Sequence, residues 1–445
     1  MKPDPAIQNP KGLFLEPMDT LLLRDGRPFG AADTARSMAL PTPQTIAGML
    51  QRHLMKTVGL SADTYHGAVS NNALTPNQRA VRLIACRGPW FSKINSKDSD
   101  PASAAIEDLF FPPPATLVRL DKSDKPTRSI LKPRENHETL LPGWAESIPN
   151  SFNSNDIPFL PLVCKGKHEA VIPESYYLDT TALKQFLSGI RPAGKLIKPD
   201  ELHCPEERTG LAITPATQTA DAGYLYFTQR LRLKRNRGFY VEVGWEENSE
   251  DEQRKELLAK IKKQADDPLQ VLLDEMFPRS SETILPLGGD GGMVRVRQLN
   301  DPFDWNTVCP DVFLTDAQPP AQYFILMITP TIFRADPSSG NSNLPNWHPP
   351  EINSLRAVAV PRPLVVSGWE LATDEDETGA GGRPRPTRYA VPAGAVYYWQ
   401  RGKQSDAAKK HPFLMQLAES PSDRAKGWGM ALQGVWEPDT NDKSE

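Results

Sequence analysis

Apolar and polar positions along this chain follow two periods, and the sharpest change of period falls near its start. Residues 13–23 are apolar enough for a strand, with Pro17 inside it. Proline cannot donate to a ladder, so the pattern predicts an edge strand or a bulge there. Turn chemistry follows in Arg24-Asp25-Gly26-Arg27-Pro28-Phe29-Gly30. The spacing then becomes helical: Ile46, Met49, Leu50, His53 and Leu54 form one stripe, with Gln51, Arg52 and Lys56 opposite. Thr42 is placed as N-cap and Pro43 at the first helical position, where its missing N–H costs nothing. A cationic loop beside an open helix start suits a phosphate, because unpaired N–H groups and the helix dipole both favour negative charge.

Further strands are expected at 80–90 and 108–120, the second entered through prolines, and residues 121–156 read as a basic, then polar insertion. Asp179 caps a short helix at 180–187 ending at Gly189, and residues 206–213 supply a closing strand. Strand, helix, strand, strand, helix, strand is the ferredoxin-like, RRM-type order. The chain is therefore expected to be α+β, with one domain over residues 1–220 and a second over 221–445. In the second, 224–233 and 239–245 read as a hairpin. Its tip carries Arg230, Arg232, Lys234, Arg235 and Arg237, with no acid among them. The amphipathic stretch 250–277 should break into two helices at Pro268. Strands are expected at 283–287, 293–297, 322–330, 357–361, 363–367 and 395–399, and polar loops at 335–353 and 372–388.

Composition narrows this picture. At 445 residues, two domains are expected. The 44 prolines favour loops and short strands over a helical bundle. A formal net charge of −4 stands against a generally basic nucleic-acid binder. Phosphate contacts need only local positive charge, however, and Arg119, Lys122, Lys125, Arg128, Lys132 and Arg134 form a second basic cluster. A solvated charged face is the plain alternative for each cluster. The four cysteines show neither metal spacing nor a disulfide framework, the first residues carry no apolar leader, and no apolar run is long enough to span a bilayer. A cytoplasmic protein without membrane contact is expected.

Three glycine-rich segments stand out: Leu287-Gly288-Gly289-Asp290-Gly291-Gly292 ahead of Arg295 and Arg297, the turn at Gly394, and Lys426-Gly427-Trp428-Gly429. Glycine lets a backbone approach a sugar-phosphate chain, but for any one segment a hairpin turn is the better-supported explanation. None follows a nucleotide-binding pattern, so no cofactor is expected, and no metal-ligand spacing appears. Trp428, between two glycines, is the aromatic best placed by sequence to stack on a base.

These residues also carry a resemblance. The strand ending Leu22-Leu23-Arg24-Asp25-Gly26-Arg27-Pro28-Phe29, followed by Leu40-Pro41-Thr42-Pro43-Gln44-Thr45-Ile46-Ala47-Gly48 at a helix start, resembles the RAMP superfamily of CRISPR-associated RNA-binding proteins. More narrowly, it resembles the third subunits of type III-B Cmr effector complexes. Arg52 falls one place later than the arginine of that pattern. The segment Leu287-Gly288-Gly289-Asp290 and the Gly427–Gly429 loop resemble glycine-rich segments of the same superfamily.

The resemblance implies two tandem ferredoxin-like domains that hold the 5′ handle of a CRISPR RNA (crRNA). It also implies docking to the large polymerase-like subunit and to a RAMP backbone subunit. Arg24, Gly26, Arg27 and Arg36 would meet phosphates, and Thr42, Gln44 and Thr45 would offer the helix start. Arg52, Arg295 and the glycine segments at Gly288-Gly289 and Lys426-Gly427-Trp428-Gly429 complete the expected RNA surface. A thumb-like hairpin is expected of such proteins, and 119–134 is the candidate segment. Some RAMP relatives are endoribonucleases with a histidine near the first helix, which makes His53 the one catalytic candidate. Its place on the apolar stripe, without a second acid or base at helical spacing, favours a non-catalytic subunit. A scaffold that never touches RNA is the third reading.

Overall fold

A computed structural model describes residues 7, 9–24, 34–61, 64–65, 73–95, 105–121, 127–133, 162–163, 170–214, 217, 219–247, 249, 251–314, 320–333, 355–370, 383–384, 386–400 and 413–437. The principal elements begin with β1 (Lys11–Pro17), β2 (Thr34–Arg36), α1 (Pro43–Thr57), β3 (Ile84–Ile94), β4 (Ile106–Phe110), α2 (Thr180–Leu187), β5 (His203–Thr214), β6 (Thr219–Leu233) and β7 (Arg237–Trp245). Then follow α3 (Glu252–Lys262), α4 (Pro268–Met276), β8 (Thr283–Pro286), β9 (Met293–Gln298), β10 (Gln322–Met327), β11 (Leu355–Ala359), β12 (Val396–Gln400), β13 (Leu414–Gln416), α5 (Pro421–Ala425) and β14 (Met430–Val435).

Six of these strands form an antiparallel sheet in the order β8-β9-β1-β7-β3-β4. Side chains alternate across a strand, and here both faces are buried. Leu13 and Leu15 face α1, α3 and α4, which contribute Ile46, Leu50, Leu258, Leu272 and Met276 to one core. Phe14, Trp90 and Tyr240 face the opposite core, shared with α2 and a second sheet. Each fully buried Leu or Phe contributes about 1.5–3 kcal/mol on removal from water.

The second sheet is five-stranded, in the order β11-β12-β10-β14-β13. Phe324, Leu326, Tyr398 and Leu432 turn toward α2, whose Phe186 meets the Phe324 ring at 5.2 Å. Tyr323, Ile325, Tyr397 and Trp399 fill the core on the other face. A third, smaller sheet joins β5, β6 and β2, with β2 parallel to β6.

Local chemistry sets several boundaries where the sequence places them. Thr42 caps α1, its Oγ1 accepting the Thr45 N–H at 3.3 Å, and Pro43 is the first helical residue. Asp179 caps α2. Pro268 opens α4 after Asp267 accepts the Gln270 N–H, so the 250–277 stretch does break there.

Other expectations are corrected. Pro17 neither marks an edge nor bulges the strand: β1 lies between β7 and β9, and the proline is its last residue. Residues 108–120 are not one strand; the run divides at its prolines into β4 and a separate strand, Leu117–Asp121. Residues 224–233 and 239–245 do not pair with each other. The first lies in β6 on β5, and the second in β7 between β1 and β3. The boundary drawn between residues 220 and 221 falls inside β6, and the six-stranded sheet takes strands from both sides of it.

The elements expected to alternate as strand, helix, strand, strand, helix, strand do not all share one sheet. Four strands of the six-stranded sheet and three helices come in the chain order β1, α1, β3, β7, α3, α4, β9, with the strands in the sheet order β9-β1-β7-β3. The helix expected to be second, α2, lies instead against the five-stranded sheet.

Candidate nucleic-acid interface

The segment Leu21–Arg24, just past β1, is where distant parts of the chain meet. Leu21 exchanges both backbone hydrogen bonds with Leu231 of β6, at 2.9 and 2.8 Å. Leu22 accepts the Gly289 N–H at 2.9 Å, which ties in the glycine loop between β8 and β9. Leu23 donates to Ser37 Oγ at 3.0 Å and accepts the Met38 N–H at 2.8 Å. Arg24 bridges to Ser37, and Ser37 donates onward to the Gln229 carbonyl. One short stretch thus carries β6, the glycine loop and the lead-in to α1 side by side. Arg24 is exposed on it, and Arg36 is exposed on the adjoining β2, opposite Gln229 of β6.

The glycine loop is built for close approach. Gly288 has φ +79°, and a Cβ there would lie 2.6 Å from the Leu22 carbonyl oxygen. Gly288 and Gly289 are exposed beside the exposed Asp290. The start of α1 adjoins the seam in sequence, but it is not an open donor set. Thr42 is buried, its hydroxyl lies 2.9 Å from that of Thr45, and the Thr45 N–H is taken by the cap. Gln44 is held from the far side of the chain: Arg388 lies 3.4 Å from its Oε1 and 3.3 Å from Asp423 Oδ2.

The remaining expected residues separate from this group. Gly26 and Arg27 lie outside the described residues. Arg52 is exposed on α1, roughly 15 Å along the helix from its cap at 1.5 Å rise per residue. Arg295 is held by Glu16 at 3.0 Å and Glu282 at 2.9 Å, so its charge is already matched. Gly427, Trp428 and Gly429 are buried. A Cβ at Gly427 would lie 3.0 Å from the Cys86 carbonyl oxygen and from Arg87 Cα of β3, and Trp428 is fully buried. Trp428 is a core residue with Val366, Ala390 and Ala418, which excludes its stacking on a base in this arrangement. Lys426, half-buried, reaches Ser422 at 3.0 Å.

The basic run on β6 and β7 acquires partners that its local sequence does not show. Arg230 pairs with Asp290, and Arg232 pairs with Glu206 and with Asp19 at 2.8 Å. Arg208 joins the same group through Asp19 at 3.1 Å and Glu206 at 2.9 Å. Hydrogen bonds from Arg208 and Arg232 hold the Asp19 carboxyl below its ordinary range, and those from Arg232 and Arg208 do the same for Glu206. Arg237 lies over the Phe110 ring at 5.5 Å. The candidate thumb segment does contain a hairpin, Leu117–Asp121 paired with Thr127–Ile130, but Arg128 is spent on the buried Glu174 at 2.9 Å.

His53 Nε2 lies 2.7 Å from the Met276 carbonyl oxygen, and its ring packs on Phe277 at 5.0 Å. Among the described residues, no group of three or more His, Cys, Asp or Glu could hold a metal ion, and no helix is long and apolar enough to cross a membrane. Between β3 and β7, Arg87 and Glu242 form a buried pair at 3.1 Å. Tyr240 and Trp305 donate to the same carboxylate at 3.0 and 2.8 Å. Burial pushes the Glu242 carboxyl up and the Arg87 guanidinium down. Nothing in the sequence pattern marks this group.

The architecture is a mixed α+β protein of several antiparallel sheets. The family model of CRISPR-associated protein (Cas_Cmr3) matches residues 13–436, and the chain belongs to that family. It is accordingly a subunit of a type III-B CRISPR effector. Among curated protein sequences, none matches the chain. Among solved structures, it is similar to a chain of the type III-B Cmr-beta complex bound to cognate target RNA and AMPPnP. There the identity is 14%, with 87% of this chain and 86% of that one covered, at a TM-score of 0.42. It is also similar to a chain of the Csm3-Csm4 subcomplex of the type III-A interference complex, with 11% identity, 96% and 100% coverage, and a TM-score of 0.34.

Proposed function

We propose that this chain is a non-catalytic RNA-binding subunit that holds the crRNA 5′ handle along the Leu21–Arg24 seam. In the same reading it docks the large polymerase-like subunit and a RAMP backbone subunit of the effector. One observation carries the proposal: backbone bonds to Leu231, Gly289 and Ser37 bring exposed Arg24 and Arg36 beside an exposed glycine loop. Affinity for phosphate depends on such local cations rather than on net charge. Single-stranded RNA suits a site where a backbone loop approaches closely and splayed bases are read at their edges. In this reading the six-stranded sheet is one ferredoxin-like unit and the five-stranded sheet the core of a second.

The charge-reversed variant Arg24/Arg27/Arg36→Glu is expected to lose handle RNA in a filter-binding assay while melting like the parent. Unchanged affinity overturns the site. Engagement of His53 with Met276 and Phe277 supports the non-catalytic reading over the nuclease, since that ring nitrogen is already hydrogen-bonded. The purified chain is expected to leave repeat RNA intact on a denaturing gel, and cleavage abolished by His53→Ala would overturn this part.

A further inference from the structure

Arg230 lies on β6 between Gln229, which accepts the Ser37 N–H, and Leu231, which bonds to Leu21. It is therefore inside the seam. Its side chain is only 9% exposed, against 55% for the Asp290 carboxylate that covers it from the solvent side. Asp290 meets this guanidinium twice, through its carboxylate and through its carbonyl oxygen at 3.3 Å. Arg230 Nε is buried and has no hydrogen-bond partner among the described residues. A buried guanidinium with a donor to spare is an incompletely filled oxyanion site.

The covering carboxylate sits on a segment able to withdraw. Asp290 holds φ +54°, a left-handed conformation that a non-glycine side chain adopts at some cost. Glycines flank it on both sides, and a Cβ at Gly291 would meet no atom of the described residues within 4 Å. The loop is pinned at its base, by Gly289 on Leu22 and by Leu287 on Gly292, rather than at its tip. Among the described residues, Glu206 and Asp19 on this face are engaged by Arg208 and Arg232, while Arg230 pairs with Asp290.

Building on the RNA-binding reading above, we propose that Arg230 is a phosphate-binding residue of the seam and that Asp290 is its built-in stopper. RNA displaces the carboxylate, and a phosphate takes its place on the guanidinium. Without RNA, the pairing keeps a buried cation matched.

The test is a double-mutant cycle on the full chain, read by fluorescence anisotropy with labelled single-stranded RNA carrying a repeat-derived 5′ handle. Asp290→Asn, which keeps the shape of an exposed side chain, is expected to bind roughly three- to tenfold tighter than the parent, the scale of one relieved charge pair. Arg230→Gln is expected to bind more weakly, and Asp290→Asn to bring no gain in that background. Arg230→Met, which keeps the buried stem, serves the same cycle if the glutamine variant does not fold. A gain that persists without Arg230 is general electrostatics and overturns the stopper. A parent that binds RNA and an Asp290→Asn variant that binds no tighter overturn the stopper alone. A parent that binds no RNA overturns the RNA reading and the stopper together.

Discussion

Gly289 donates its N–H to the carbonyl of Leu22 at 2.9 Å, joining two positions far apart in sequence in an isolated antiparallel bridge. That bond fixes the glycine loop against the end of the first strand. The Arg24 side of the chain and the Asp290 side consequently share one surface, and the functional reading depends on this juxtaposition.

Gly288 should be the least replaceable residue of the loop. Alanine there would take a left-handed φ of +79° and bring its Cβ 2.6 Å from the Leu22 oxygen. Gly288→Ala is expected to cost about 1–3 kcal/mol in urea denaturation and to weaken RNA binding by displacing the loop. Parent-like stability would contradict the described contact.

Trp428 should behave as core. Trp428→Phe is expected to lower the melting temperature while leaving RNA affinity of the folded protein within about twofold, since an unexposed side chain cannot stack on a base. A variant that melts like the parent but loses RNA would contradict this assignment.

What the sequence made legible was local. The Thr42 cap, Pro43, the Asp179 cap and the break at Pro268 are each set by one or two neighbouring residues, and each is found where its chemistry predicts. Pairing was not legible. Strands β3 and β7 are neighbours in the sheet yet separated by the whole stretch that holds α2, β5 and β6, and nothing in β5 distinguishes it from a strand of that sheet. Partners of charged residues were hidden for the same reason. The run from Arg230 to Arg237 has no acid within it, but the fold brings Asp290, Glu206 and Asp19 to it. The glycine and aspartate of the Leu287–Asp290 segment were the one signal that could have led to Arg230.

The Asp19–Arg208–Arg232–Glu206 group gives a pH dependence of defined sign. Both carboxyls titrate below their ordinary values of 3.8 and 4.5 in the folded chain. Their contribution is therefore present above those values and is lost as pH falls through them toward the folded pKa values. The Asp19→Asn/Glu206→Gln variant is expected to be less stable than the parent near neutrality, with the gap narrowing on acidification to about pH 3 in denaturation curves. A gap that stays constant with pH would contradict the pairing.

The buried Arg87–Glu242 pair predicts strong non-additivity. Glu242→Leu strands a guanidinium that is 5% exposed and is expected to cost about 3–5 kcal/mol. Arg87→Met in the same chain should recover most of that loss, because removing both charges removes the desolvation penalty. A double variant as unstable as Glu242→Leu alone would contradict it.

The central claim, RNA held at the Leu21–Arg24 seam, is tested most directly by RNA binding of the purified chain at two salt concentrations, with 5′ handle RNA and a scrambled control, beside the Arg24/Arg27/Arg36→Glu variant. The expected result is intact RNA, preference for the handle, weakening at high salt and loss of binding in the variant. Equal binding by parent and variant, or none by the parent at low salt, would contradict it.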